Sequence, residues 1–447
     1  MSIVMKFGGT SVADAAAFEN VARIVASERA SAPVVVVSAM SGVTDALLAA
    51  TNIASLQEVF ERHRSVSREL LDHNHAFEDR LSHAEQEIAG LLEAFAQRPA
   101  ERKSLQDAVV SFGEILSSAL LATLLNEQGI TARQVDARCC IITDEEYTSA
   151  APLMKETSAC CKSELLPVVE SGVVPVLGGF IGSTTSGATT TLGRGGSDYT
   201  AALLGAALGA SEIQIWTDVT GVLTADPRVV PEAQTIERLS YGEAAELAYF
   251  GAKVLHPKTI QPAIESSIPV RICNSRAPQE AGTLVGPQSE TSPRTVKAIA
   301  HKTGVTTVQI TSLRMLGAYG FLRALFEVFD RHRTVVDVVT TSEVSVSLSL
   351  DDASALPAIV EELERLGTVR VEKGRAIICV VGEGLRGTPG IAARVFSTIS
   401  DINVTLISQG ASSINFTFAI EEERVREAVT RLHEEFFAAK RHKSTAE

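Results

Sequence analysis

Cysteine is scarce in this chain: six residues in 447, too few for a disulfide framework, and they read as reduced thiols of a cytoplasmic protein. Long apolar runs are missing too. The most apolar stretches, 33–37 and 172–181, fall well short of the ~18 residues a spanning helix needs. The opening Met1-Ser2-Ile3-Val4-Met5-Lys6 lacks a charged region followed by an apolar signal core. Positive charge is also in deficit, with 40 Lys+Arg against 54 Asp+Glu and a net charge of −14. That balance excludes a protein built to coat nucleic acid or an anionic membrane, since both need clustered cations. It leaves room for one basic pocket around an anionic ligand. Apolar residues at 45% and charged residues at 21% exclude a disordered chain. At about 150 residues per domain, the length predicts two to four domains.

Up to residue 290, short β-branched runs (3–7, 34–37, 173–177, 213–216 and 270–273) alternate with helical patterns at 15–28, 105–127, 198–208 and 241–250. The alternation predicts an α/β domain with a mainly parallel sheet between helices. The charged stretch 56–100 carries His63, His73, His75 and His83. It reads as a solvated helical hairpin with histidines scattered on its faces, since no i, i+4 His/acid pair has an obvious second partner. Cys139-Cys140 and Cys160-Cys161 are adjacent pairs whose side chains diverge, a poor bite for one metal, so no metal site is expected.

Residues 275–294 are rich in Pro, Gly, Ser and Thr and mark a boundary. An internal repeat follows. Gly320-Phe321-Leu322-Arg323-Ala324-Leu325-Phe326 matches Gly390-Ile391-Ala392-Ala393-Arg394-Val395-Phe396, 70 positions on. Each glycine opens a helix that leads to a strand (335–339; 404–408), a polar turn, an alternating strand (344–350; 414–420) and a closing helix (354–366; 423–437). Two βαββαβ units result. They lack convergent acid, base or nucleophile, and read as ligand-sensing or dimerising modules.

Four segments carry chemistry. Lys6-Phe7-Gly8-Gly9-Thr10-Ser11 follows the first strand; it is either a structural turn or an anion site, with glycine N–H groups, a lysine and the next helix N-terminus around a phosphate. Ser38-Ala39-Met40-Ser41-Gly42-Val43-Thr44 is a second donor-rich turn, or a helix start capped by Ser41. In Leu192-Gly193-Arg194-Gly195-Gly196-Ser197-Asp198-Tyr199-Thr200, three glycines surround an arginine whose fork suits a carboxylate. Asp198 either caps the helix or takes part in phosphoryl transfer. The fourth runs from Trp216-Thr217-Asp218-Val219-Thr220-Gly221 to Thr224-Ala225-Asp226-Pro227-Arg228, at a strand end where open α/β sheets bind ligands. Phe250-Gly251-Ala252-Lys253-Val254-Leu255-His256-Pro257 lies close by in sequence.

These motifs, with Phe112-Gly113-Glu114, occur in an order that resembles the aspartate kinase family, in its monofunctional, lysine-sensitive type with tandem ACT domains. The resemblance covers essentially the whole chain. It implies an amino-acid-kinase fold over 1–290, then two ferredoxin-like ACT units, 303–374 and 295–302 plus 375–447. It also implies transfer of the γ-phosphoryl of ATP to the side-chain carboxylate of L-aspartate, with Mg²⁺ carried on the nucleotide, as the first step of aspartate-family or compatible-solute biosynthesis. Lys6 resembles the lysine that neutralises the transferring phosphoryl, and Asp198 the aspartate that organises the site. Thr44, Glu114 and Arg194 match positions that hold aspartate. Lys6, Gly8, Gly9, Thr217, Asp218, Leu223, Arg228, Lys253 and Val254 match nucleotide positions, although Leu223 stands where the family often has an aromatic residue.

An amino-acid effector, lysine or threonine, is implied at Met315, Ala318, Phe321, Leu322, Asp337, Ser342 and Glu343. Gly317 and Ala318 stand where lysine-inhibited relatives carry His and Ser. A homodimer or a dimer of dimers is expected. The rival readings are another amino-acid kinase and a non-enzymatic amino-acid sensor.

Overall fold

The described residues of the computed structural model are 2–251, 255, 257–287, 295–410 and 412–438. They form two compact units. One comprises Met1–Val222, Glu237–Tyr241 and Val254–Ser289; the other comprises Leu223–Ile236, Gly242–Lys253 and Glu290–Glu447.

In the first unit the strands are β1 (Ile3–Phe7), β2 (Pro33–Val37), β3 (Ala132–Gln134), β4 (Ile142–Thr143), β5 (Val174–Gly178), β6 (Ile181–Thr184), β7 (Thr189–Thr191), β8 (Glu212–Thr217), β9 (Arg238–Ser240), β10 (Val270–Asn274) and β11 (Thr283–Gly286). The main sheet runs β3-β5-β2-β1-β8-β10-β11-β9, and β4-β6-β7 form a small second sheet. All pairings in the main sheet are parallel except β10 with β11. Every residue of β2 and β5 is buried, as strands covered on both faces require. The chain runs from β1 outward through β2 to the edge strand β3, fills in β5 between them, then returns to lay β8 on the other side of β1. The strand order therefore reverses at β1, where such sheets open a crevice at their carboxyl ends.

The helices of this unit are α1 (Ala15–Ser27), α2 (Val43–Ala49), α3 (Gln57–Leu70), α4 (His75–Gln97), α5 (Arg102–Glu127), α6 (Met154–Glu170), α7 (Gly196–Leu208) and α9 (Gln261–Glu265); α8 (Tyr241–Tyr249) belongs, after its first residue, to the second unit. Three features of these helices differ from what the sequence predicts. Pro99–Glu127 is long and apolar enough to cross a membrane by length and composition, but 83% of its apolar window is buried inside the protein, so it is a core helix. The α3–α4 hairpin is not merely solvated, because Phe60, Phe77, Leu81 and Ile88 are buried in the core. His63 is buried with them, its Nδ1 2.7 Å from the Val59 carbonyl oxygen. Finally, α1 does not offer a free N-terminus after the glycine turn: a 3₁₀ turn, Gly9–Val12, intervenes, and Asp14 Oδ1 accepts from Ala17 N at 2.9 Å.

In the second unit β12 (Ala298–Thr311), α10 (Phe321–Arg331), β13 (Val339–Thr341), β14 (Ser345–Leu350), α11 (Leu356–Leu363), β15 (Thr368–Val381), α12 (Ile391–Thr398), β16 (Leu406–Gln409), β17 (Asn415–Glu421) and α13 (Val425–Phe437) build one antiparallel sheet, β13-β14-β12-β15-β17-β16. The long strands β12 and β15 serve both copies of the repeat. Two cores result, one around Val308, Leu325 and Ile359 and one around Ile378, Val395 and Leu432. The repeated glycines do the same job in each copy: Gly320 (φ 80°) precedes α10 and Gly390 (φ 81°) precedes α12. The strand expected at 335–339 begins only at Val339. Val338 N donates to Ser349 Oγ at 2.9 Å and Asp337 N to the Ser349 carbonyl oxygen at 3.0 Å, so the regular ladder starts one residue later.

Residues 223–236 pack into the second of these cores. Ala225 and Val230 share it with Ile299, whose N–H donates to the Thr224 carbonyl oxygen at 2.8 Å. A buried Lys297–Glu243 ion pair at 2.8 Å secures α8. Such a pair tolerates loss of one partner poorly, since the other charge would stay buried alone.

Candidate active site

At the carboxyl ends of β1, β2 and β8 the first unit opens a cleft of about 770 Å³. Lys6 reaches it from β1, flanked in register by Val36 and Ile215. Its Nζ lies 2.6 Å from Oδ1 of Asp198 in the first turn of α7. Asp198 therefore does not cap its helix; α7 begins after Gly195 (φ 74°) with no side-chain cap. Ser41 does not cap α2 either, which starts after Gly42 at φ 80°. Of the paired glycines, Gly9 has a steric reason: a Cβ there would lie 3.0 Å from the Ala39 carbonyl oxygen, whereas one at Gly8 would meet only ordinary contacts. Two strand-end loops thus approach as closely as backbone allows.

Glu114 enters from α5. It is buried, and its Oε1 accepts from Ala39 N at 3.2 Å while Oε2 has no hydrogen-bond partner among the described residues. Desolvation pushes its carboxyl up to about 8, partly opposed by the Ala39 N–H. Thr44 and Arg194 line the same cleft, Arg194 exposed at its rim. Gly196 is held where a Cβ would meet the Phe180 ring at 2.7 Å, which packs the arginine turn down on the β5–β6 connection. Thr217 and Asp218 line the cleft from the end of β8, with Thr217 Oγ1 3.2 Å from Asp218 Oδ1.

The cleft thus gathers Lys6, Gly8, Gly9, Thr44, Glu114, Arg194, Asp198, Thr217 and Asp218. Leu223 and Arg228 belong to the second unit, where Arg228 Nη2 is paired with Asp226 Oδ2 at 2.6 Å. Lys253 and Val254 lie outside the described residues. Sequence reasoning passed over Asp107, Thr148 and Phe180, which also line the cleft. Two of these, Thr148 (φ 75°) and Phe180 (φ 68°), adopt a backbone conformation that side-chain-bearing residues seldom take. Asp107 did carry a signal: it stands one heptad before Glu114 on an apolar helix with few charges.

Of the effector positions, Asp337 is the buried one. Its carboxyl is pushed up to about 7 by desolvation and by the neighbouring Asp351, and Lys302 Nζ lies 3.7 Å from it while also pairing with Asp351. Ser342 and Glu343 are exposed in the β13–β14 turn, and Met315, Ala318, Phe321 and Leu322 flank the start of α10.

Residues 1–274 match the amino acid kinase family and residues 378–436 match the ACT domain. Over 449 residues the chain is 39% identical to the lysine-sensitive aspartokinase 3 of Escherichia coli (strain K12), spanning 97% of this chain and 99% of that protein. The chain belongs to the aspartokinase family. It is 40% identical to the chloroplastic aspartokinase 3 of Arabidopsis thaliana over 98% of this chain and 82% of the relative. The crystal structure of E. coli aspartokinase III in complex with aspartate and ADP, in its R-state, matches with a TM-score of 0.82 at 38% identity, covering 98% of this chain and 100% of that one. As an aspartokinase-family member the chain is a kinase, with an amino acid kinase domain followed by ACT structure, and the non-enzymatic alternative is not favoured.

Proposed function

We infer that this chain transfers the γ-phosphoryl of Mg·ATP to the side-chain carboxylate of L-aspartate, giving 4-phospho-L-aspartate. One observation carries the reading: a single cleft holds an ammonium pinned by a carboxylate, Lys6 on Asp198, together with a buried acid and an arginine fit for an amino acid's two α-groups. The nucleophile needs no general base, because an aspartate side chain with a pKa near ~3.9 is ionised at neutral pH. What the reaction lacks is relief of repulsion between that carboxylate and a polyphosphate. Lys6 and the Gly9 N–H supply it, whereas the Gly8 N–H expected to help is already given to the Trp216 carbonyl oxygen at 3.1 Å, so rate enhancement comes from positioning and electrostatic stabilisation. Glu114 takes the substrate ammonium, Arg194 its α-carboxylate, and Thr44 contacts the same molecule. Thr217, Asp218, Leu223, Arg228, Lys253 and Val254 serve the nucleotide.

Among the described residues no three His, Cys, Asp or Glu side chains converge as a metal cage. Lys6 already engages Asp198, so the donors present fit a cation that arrives on phosphate oxygens and water. Mg²⁺ bound that way supplies charge neutralisation on the phosphates.

The ACT units bind an amino-acid effector, lysine or threonine, at Met315, Ala318, Phe321, Leu322, Asp337, Ser342 and Glu343, and pair two chains as a homodimer or a dimer of dimers. Support comes from the relative named lysine-sensitive and from apolar side chains exposed beside this site, Leu313, Leu316, Tyr319 and Val335. All six cysteines are free thiols, which suits the cytoplasm. A hydroxamate assay for aspartyl phosphate, run with and without lysine and threonine, tests the reading. Hydroxamate from aspartate is expected; product from another acid with none from aspartate would remove the substrate assignment.

A further inference from the structure

Helix α5 carries a second buried carboxylate one heptad before Glu114, so both acids lie on its cleft-facing side. Asp107 is 2% exposed. Its Oδ2 accepts from Thr148 N at 2.8 Å and from Thr191 N at 2.9 Å, and its Oδ1 from Thr191 Oγ1 at 2.8 Å. These donors come from two separate segments, the turn before Ala150 and the end of β7. The two are themselves joined, since Ala150 N donates to the Thr191 carbonyl oxygen at 2.9 Å.

The arginine turn leaves directly from this knot. Leu192 N donates to the Phe180 carbonyl oxygen at 2.9 Å. Gly193 (φ 72°) then passes so close to the Thr148–Ser149 turn that a Cβ would lie 3.3 Å from Ser149 Oγ and 3.4 Å from the Thr148 carbonyl oxygen. Arg194 comes next. No hydrogen bond or ion pair among the described residues orients its guanidinium, so the backbone at Thr191–Gly193 sets where it stands. Holding Thr148 at φ 75° requires surrounding structure that over-determines it, and the Asp107 bond to its N–H is part of that.

We propose that Asp107 is a positioning residue for the amino-acid substrate: through Thr148 and Thr191 it fixes the Gly193–Arg194 turn, and hence the place of the substrate's α-carboxylate. This rests on the reading that Arg194 receives that carboxylate. Burial raises the acid's proton affinity and the three donors oppose that, in keeping with a carboxylate whose acceptor capacity is spent inside the protein. It touches no reacting atom and acts only through the turn.

The test uses the full-length enzyme. Asp107→Asn keeps the side chain's size but removes its charge: the amide oxygen still accepts from the two N–H groups, the NH2 must donate to Thr191 Oγ1 where the carboxylate accepted, and all three bonds lose their charge assistance. The expected result is an aspartate KM raised about 10-fold or more, with the ATP KM within about twofold of wild type, and weaker aspartate binding by calorimetry. In an Arg194→Ala background, Asp107→Asn should add nothing further to the aspartate KM. Equal rises in both KM values, or effects that simply add to those of R194A, would overturn the proposal and make Asp107 a general stabiliser of the fold. An R194A enzyme with normal aspartate KM would instead overturn the Arg194 reading beneath it. If D107N does not fold, Thr191→Val removes the Oγ1 bond alone and must show the same selective pattern at smaller size; a T191V enzyme with unchanged aspartate KM counts against the proposal.

Discussion

Lys6 Nζ stands 2.6 Å from Asp198 Oδ1, a contact between residues 192 positions apart that ties the tip of β1 to the first turn of α7. Both side chains are more than four-fifths buried, at 11% and 17% exposure, so the pair is not the weak surface kind. Lys6→Ala is expected to lower the phosphoryl transfer rate about 10²-fold or more, as loss of a preorganised charge at a reacting phosphate does. Aspartate binding should change little, because Glu114 and Arg194 remain. Single-turnover kinetics with calorimetry separates the two, and an unchanged transfer rate would refute the role given to Lys6.

The acid at Glu114 makes aspartate recognition pH-dependent. An ammonium needs the ionised form, whereas burial holds this carboxyl at about 8 in the free enzyme. Below pH 8 the apparent aspartate KM should therefore rise about tenfold per pH unit until another group intervenes, and substrate binding should release protons. Glu114→Gln should raise KM and flatten this dependence. Measuring KM from pH 6.5 to 8.5 in both proteins decides it.

The same residue works against stability. In the unfolded chain its carboxyl ionises above about 4.5, while in the folded chain it stays protonated to about 8. The folded state thus binds the extra proton between these values, and stability falls as pH rises through that window. E114Q should be more stable than wild type at pH 8, by on the order of a few kcal/mol, while losing aspartate affinity. Urea unfolding at pH 5 and pH 8 shows whether the gain grows with pH.

His63 has the opposite slope. Desolvation lowers its pKa from 6.5 to about 4, so the unfolded chain binds a proton that the folded chain refuses. Its contribution is complete above pH 6.5 and lost as pH falls toward 4, by about 3 kcal/mol in all. His63→Leu should be less acid-sensitive over that range, read as the pH dependence of the denaturation midpoint.

Gly178 lies where β5 meets α5, and a Cβ there would sit 2.8 Å from Glu114 Cβ and 2.9 Å from its carbonyl oxygen. Gly178→Ala should cost about 1–3 kcal/mol, the range for overpacking, because backbone rather than a flexible side-chain end must give way. It should also raise aspartate KM by displacing Glu114. Chemical denaturation and steady-state kinetics on one preparation test both.

By itself, the sequence determined what depends on near neighbours: β-branched runs that became β1, β2 and β8, the glycine pair at Gly8 and Gly9, and the two helix-opening glycines 70 residues apart. Periodicity and backbone freedom are properties of short stretches, and they are written in order along the chain. Tertiary structure alone decided the rest. Asp107 meets Thr191 across 84 positions and Glu114 meets Ala39 across 75. His63 became a buried neutral group rather than a surface one, the Asp14 side chain rather than a bound phosphate closed the start of α1, and residues 223–236 joined the C-terminal unit. Each of these turns on which distant segment supplies a hydrogen-bond partner or excludes water. A residue's type does not specify that until the whole chain has packed.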